Sequence, residues 1–184
     1  IIQHFLVRGA VLMLLQVLLV NRAWEFSPGG WALQCYVGVL FALGGTMILG
    51  AVLLLWLRPD VLLGVTVGLF LGIALLIPDA ASWGRVFSPL VHLLLVPGGD
   101  IGLWVNYPLL PWLPLTAFGI LFGTWLLDDP QRAFRRALGL GVGFLLAFAA
   151  LRIMNGFGNI RPRSGDTWIA FFNLVKYPPS ITFV

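Results

Sequence analysis

Apolar residues fill this chain in long blocks, without the strict alternation of a strand or the single stripe of a soluble helix. A helix rises 1.5 Å per residue, so crossing roughly 30 Å of hydrocarbon takes about 20 mainly apolar residues. Five blocks meet or approach that length. They are Phe5–Val20, interrupted by Arg8 and Gln16; Cys35–Leu57, with no charge in 23 positions; Val61–Ile77, 17 residues after an Arg58-Pro59-Asp60 turn; Leu109–Leu127; and Ala137–Ile153, which contains Gly139, Gly141 and Gly143. The short third block must stand nearly upright or sit where the bilayer is thin. Pro111 and Pro114 open the fourth, where a missing N–H costs little, although Pro114 is expected to kink or delay the helix. Asp128-Asp129-Pro130 reads as a helix stop and restart.

Two blocks are too short to cross. Val86–Val96 holds Ser88 and Pro89 where an N-cap and first helical residue belong, and Trp168–Val175 lies between Asp166 and Lys176. Both suit interfacial or re-entrant helices. The prediction is an all-α, polytopic integral membrane protein with about five full transmembrane helices and one or two short interfacial ones. Residues 1–184 form a single transmembrane domain. Ile181-Thr182-Phe183-Val184 reads as the opening of a further apolar segment near Ser180, so the chain is expected to be an internal fragment, or the ordered part, of a longer protein.

Composition supports this reading. Hydrophobic residues make up 60% and charged residues 10% of the chain, against about 25% charged in soluble domains, and mean hydropathy is +0.98. Disordered chains have the opposite balance. The formal charge of +4 would suggest nucleic acid on a soluble protein, but here the cations lie between apolar blocks. They read as membrane anchors, so lipid is expected as a partner and nucleic acid is not. Cys35 is the sole cysteine and makes no intrachain disulfide. Trp24, Trp31, Trp83, Trp104, Trp112 and Trp168 fall in or beside loops, as an aromatic belt requires. Alternating crossings divide the cations evenly. Arg8, Arg58, Arg132, Arg135 and Arg136 share one side with short turns, which is placed in the cytoplasm; Arg22, Arg85, Arg152, Arg161, Arg163 and Lys176 share the other.

Gly64, Gly68 and Gly72 form a four-residue ladder, and Gly119 and Gly123 repeat it once; both predict close helix packing. Gln16 lies mid-block as expected packing glue, and Arg8 is expected to snorkel. The second side also gathers Asn21, Gln34, Asp100, Asn106, Tyr107, Asn155, Asp166, Asn173 and Tyr177. Cations with amides could hold an anionic head group or a phosphate-bearing substrate, or could serve as ordinary interface anchors. His4 and His92 stand alone, without the grouped ligands of a zinc site, so no metal is expected. His92 reads as an interfacial histidine first, and as a general base or an axial porphyrin ligand second.

Several strings together resemble bacterial membrane proteins related to heparan-alpha-glucosaminide N-acetyltransferase. They are Arg8-Gly9-Ala10-Val11-Leu12-Met13-Leu14-Leu15-Gln16, Tyr107-Pro108-Leu109-Leu110-Pro111-Trp112-Leu113-Pro114, Asn155-Gly156-Phe157-Gly158, and Phe172-Asn173-Leu174-Val175-Lys176-Tyr177-Pro178-Pro179-Ser180. The resemblance implies a multi-pass helical protein of the bacterial inner membrane. It also implies acetyl transfer from acetyl-CoA to a sugar, with substrate contacts at Asn106, Tyr107, Asn155, Lys176 and Tyr177. Neither His4 nor His92 corresponds to the family's catalytic histidine, and Phe41-Ala42 stands where the family often has Gln-Arg. The resemblance therefore assigns binding roles and no catalytic one. A second reading makes the chain a non-enzymatic subunit of a larger photosynthetic, respiratory or secretion complex, packed through its glycine-rich helices. A transporter reading lacks an internal repeat to support it.

Overall fold

A computed structural model describes residues 2–26, 34–77, 87–157 and 159–174, with the side chains of 59, 60 and 74 left aside. The chain is mainly helical. Helix α1 (Ile2–Leu15) passes through a π-helical turn (Gln16–Val20) into α2 (Asn21–Glu25). Strand β1 (Tyr36–Val37) leads to α3 (Val39–Trp56), and α4 (Pro59–Leu76) follows directly. Then come α5 (Pro89–Leu94), β2 (Gly98–Gly99), β3 (Trp104–Val105), a 3-10 turn (Leu110–Trp112), α6 (Leu113–Asp128), α7 (Pro130–Met154) and α8 (Trp168–Phe172).

Four helical stretches are long and apolar enough to cross a membrane: Ile2–Glu25, Val39–Trp56, Leu110–Asp128 and Pro130–Met154. The expected third crossing falls on α4, whose described side chains include the shorter apolar stretch Val61–Ile73; the four are counted among the described residues. The local signals act largely as expected. Ser88 Oγ accepts from the Val91 N–H and Pro89 follows it. Asp129 Oδ1 accepts from the Arg132 N–H at 3.1 Å, ahead of Pro130. This cap starts α7 seven residues before the predicted Ala137. The added turns carry Arg132, Arg135 and Arg136, and the Arg136 guanidinium sits 5.2 Å from the centre of the Trp125 ring. The prolines delay α6 through the 3-10 turn. Thr167 caps α8, accepting from the Ala170 N–H at 3.2 Å.

Helix α6 packs against α3, α4 and α7, and helix α3 against α1 on one side and α6 on another. Its small residues make this possible. A Cβ added at Gly9 would lie 2.6 Å from the Gly44 carbonyl oxygen, and one at Gly44 would meet the Gly9 oxygen. Gly45 receives Leu109 and Gly50 receives Ile120. The predicted ladder finds no packing partner among the described residues. A Cβ at Gly64, Gly68, Gly72, Gly119 or Gly123 would meet no neighbour within 4 Å. Those faces point away from the other described residues, because α4 turns Leu62 and Leu69, not its glycines, toward Ala117 and Leu121 of α6. Gly68→Ala is therefore expected to leave helix packing intact and raise thermal stability by up to about 1 kcal/mol through helix propensity. Unfolding followed by circular dichroism in detergent checks this.

The strands form a small sheet of order β1-β3-β2, parallel between β1 and β3 and antiparallel between β3 and β2. No strand was expected from the apolar pattern, since each is two residues long. Both residues of β2, Gly98 and Gly99, hold positive φ values of +124° and +131°, which side chains disfavour. Asp100 Oδ1 then accepts from the Gly102 and Leu103 N–H groups at 2.8 and 3.1 Å.

Candidate functional site

The π-helical turn puts Gln16 and Asn21 side by side against β1. Both are almost fully buried, at 1% and 4% exposure. Gln16 Nε2 donates to the Tyr36 carbonyl at 3.4 Å. In the orientation that satisfies both ends of its amide, Asn21 donates to the Tyr36 carbonyl at 3.0 Å and accepts from the Tyr36 N–H at 3.1 Å. It thus pairs with the outer edge of β1 as another strand would, closing a backbone edge that would otherwise stay unpaired. Gln16 is packing glue, as expected, but its partner is a strand and not a helix.

On its other edge β1 carries β3, and residues beyond β3 build a polar, aromatic-rich cluster. Asn106 and Tyr107 both donate their N–H groups to the Val37 carbonyl, at 3.0 and 3.3 Å. Asn106 Nδ2 donates to Tyr36 Oη at 3.2 Å. The Tyr107 and Trp112 rings lie 5.7 Å apart. Trp112 Nε1 is buried without an acceptor among the described residues, a state that costs about 1–3 kcal/mol. Nearby in the fold, His92 is 8% exposed, with its ring edge-on to Phe87 at 5.8 Å. Its Nδ1 faces the Val96 carbonyl at 3.1 Å. A carbonyl only accepts, so Nδ1 carries the hydrogen and, in the neutral ring, Nε2 keeps the lone pair.

A second cluster closes the far end of α7. Arg152 is 1% exposed and spends all five of its N–H donors. Nε donates to the Phe171 carbonyl at 2.6 Å, and Nη1 to Asn159 Oδ1 at 2.7 Å and the Arg161 carbonyl at 3.1 Å. Nη2 reaches the Ala170 and Asn173 carbonyls at 2.7 and 2.9 Å. Three of these acceptors lie at the C-terminal end of α8, where the helix dipole favours a cation. Asn155 ends α7 in the left-handed conformation, φ 52°, and clamps Arg163 through both the backbone N–H and the carbonyl. Arg163 also pairs with Asp166 at 3.3 Å.

The five candidate binding residues therefore fall into groups. Asn106 and Tyr107 join the sheet cluster, and Asn155 belongs to the Arg152 turn, where it fastens backbone. Lys176 and Tyr177 lie outside the described residues, as do Trp31, Trp83 and Arg85. Of the remaining polar group, Arg22 pairs with Glu25 and Gln34 offers its backbone N–H to Ile101. Trp112, expected in the interfacial belt, is half-buried at the end of the 3-10 turn with its indole N–H turned inward. Among the described residues no three His, Cys, Asp or Glu side chains group as metal ligands. No family model matches the chain, and no curated protein or solved structure matches it significantly.

Proposed function

We propose that this chain is the membrane-embedded part of an acyltransferase-like protein of the bacterial inner membrane. Its sheet cluster would bind the polar substrate, in line with the acetyl transfer that the motif resemblance implies. The observation that carries the binding role is Trp112 Nε1, a buried donor with no acceptor among the described residues, beside the tilted ring of Tyr107 and the Asn106–Tyr36 pair. Aromatic faces with amide and indole donors suit a sugar hydroxyl or an acyl carbonyl. In such a transfer the amine nitrogen of the sugar bonds the acetyl carbon, the carbon–sulfur bond of acetyl-CoA breaks, and the thiol of CoA leaves with the proton. Membrane embedding is supported by the four long apolar helices and by α7, whose Leu138, Leu145 and Leu146 are each about 70% exposed. Apolar surface on that scale is tolerated against lipid and not against water.

Trp112→Phe tests the site. Removing an unsatisfied donor is expected to hold or raise thermal stability. The same change is expected to raise the KM for the sugar acceptor about tenfold, the worth of one hydrogen bond. Acetyl transfer from acetyl-CoA by the full-length protein in mild detergent is the assay; absence of any transfer or acetyl-CoA hydrolysis would refute the reading. The second reading, a packing subunit of a larger complex, is favoured by the uncovered glycine faces of α4 and α6. Copurification of a stoichiometric membrane partner would decide for it.

A further inference from the structure

Past the end of α7 the chain turns back along the helix it has just left. Asn155 fastens the backbone of Arg163 to the helix end. The Phe171 and Phe172 rings then lie 5.6 and 6.1 Å from that of Phe148, seven residues, or about 10 Å, back from Asn155. Leu174 reaches further, lining one apolar groove with Phe144 and Leu145. Arg136 is the last cation at the opposite end of α7. Counted from it, roughly 30 Å of hydrocarbon extends about 20 residues, to the level of Gly156. Arg152 then lies ~6 Å and Phe148 ~12 Å inside the boundary, and a tilted helix carries both deeper.

We infer that α8 is re-entrant: it dips into the bilayer from the side on which α7 ends, is held there by Arg152, and lays Trp168, Ile169 and Phe172 against acyl chains. The inference rests on the membrane reading and not on the substrate cluster. A five-residue helix leaves its last carbonyls unpaired, and hydrocarbon offers them no water. Arg152 supplies the missing donors, taking the carbonyls of Ala170, Phe171 and Asn173. At the other end of α8 the Thr167 hydroxyl and carbonyl accept from the Ala170 and Phe171 N–H groups. No carboxylate pairs with Arg152 among the described residues. Its acceptors are four backbone carbonyls and one amide, and backbone carbonyls are partners that cations use inside a membrane. Composition follows depth in the same direction. Arg163 and Asp166 pair at the level of the helix end, with the Asp166 side chain 99% exposed. Trp168 comes next, the residue type of the boundary, and Ile169 and Phe172 lie below it. These three are 75%, 69% and 58% exposed. A protein partner imposes no such order from charge through indole to hydrocarbon, whereas a bilayer does. Leu146 and Ile153, on the stretch of α7 that flanks α8, are as open, at 67% and 68%.

The test is site-directed spin labelling of the full chain in phosphatidylcholine vesicles, with Cys35→Ser removing the native thiol. Single cysteines replace Ile169, Phe172, the exposed Ser164 ahead of α8, and Leu146 on α7. Oxygen concentrates in hydrocarbon, whereas a neutral nickel chelate stays in water. Labels at Ile169→Cys and Phe172→Cys are expected to behave like Leu146→Cys, open to oxygen and closed to nickel, and Ser164→Cys to show the reverse. The ratio of oxygen to nickel collisions at Phe172→Cys is expected to exceed that at Ser164→Cys about tenfold, in keeping with the cost of taking a polar solute out of water. Arg152→Met is expected to admit nickel to Phe172→Cys and to change nothing at Leu146→Cys. Three outcomes overturn the inference. Nickel reaching Phe172→Cys as freely as Ser164→Cys puts α8 in water, and neither reagent reaching it puts α8 under a protein partner. Nickel still excluded after Arg152→Met means that something other than Arg152 holds the helix at depth. Nickel at Leu146→Cys sinks the membrane reading itself, while Leu146→Cys in lipid beside Phe172→Cys in water sinks only this one.

Discussion

Replacing Arg152 with methionine is expected to release the whole segment from Asn159 to Asn173 while α1, α3 and α6 stay packed. One side chain holds five acceptors from three stretches of that segment: Asn159 and Arg161 in the turn, Ala170 and Phe171 in α8, and Asn173 after it. Hydrogen bonds from a charged donor contribute about 1.5–3 kcal/mol each, though five on one group are not additive. The loss expected for Arg152→Met is about 3–5 kcal/mol of local stability. Helix α8 has five residues, too few to persist without tertiary contacts. Lysine keeps the charge but offers three donors from a single nitrogen, where the fork offers five from three. Arg152→Lys is therefore expected to recover less than half of the loss. Amide hydrogen exchange over residues 159–174 reads both variants. Protection unchanged from wild type in Arg152→Met would show that the segment is held by something else.

The second large effect is expected at the crossing of α1 and α3. Gly9 and Gly44 face one another so closely that a Cβ on either meets the other's carbonyl oxygen. A flexible side chain could swing aside, but a backbone carbonyl cannot, so Gly44→Val must push the two helices apart. Overpacking a tight interior costs about 1–3 kcal/mol, and this site belongs at the upper end or beyond it because the nearest obstacle, the Gly9 carbonyl oxygen, is main chain. The separation would also strain the Gln16–Asn21 clasp on β1, which sits at the end of the same helix pair. Thermal unfolding in detergent should show a clear fall in Tm for Gly44→Val beside a neutral or positive change for Gly68→Ala. Equal behaviour of the two variants would mean that the α1–α3 contact is not what holds these helices.

That pair of glycines shows how far the chain could be read in advance. The Gly64-Gly68-Gly72 ladder has the four-residue spacing of a packing face, and no described residue covers it. The glycines that do pack sit in Ala42, Gly44, Gly45, Thr46, Gly50 and Ala51, whose small residues spread around α3. That spread is the visible sign of a helix with neighbours on two sides, as α3 has in α1 and α6. Spacing along one helix says that a face is small; it does not say which neighbour fills it. Arg152 was equally legible as a cation at a span end and equally misplaced, since an anchor in the head groups and a fully satisfied buried donor look alike in sequence. The candidate site divided in the same way. Asn106 and Tyr107 stood out as polar residues at a span boundary and Trp112 meets Tyr107 through the local 3-10 turn, whereas Tyr36 joined them only through the parallel pairing of β1 and β3, nearly 70 residues apart in sequence.

The amino-acid sequence alone determined the helical, apolar character of the chain, the stops and caps at Ser88 and Asp129, and the gathering of polar residues at alternating helix ends. Those features follow from local chemistry: the length of an apolar run, a missing proline N–H, a side-chain oxygen three residues before an unpaired donor. Only the tertiary structure decided which glycines touch, which cation is enclosed, and that a three-stranded sheet crosses between distant segments. Those outcomes depend on what lies opposite each residue, and burial, edge pairing and donor satisfaction are properties of two surfaces together, of which a linear pattern describes one at a time.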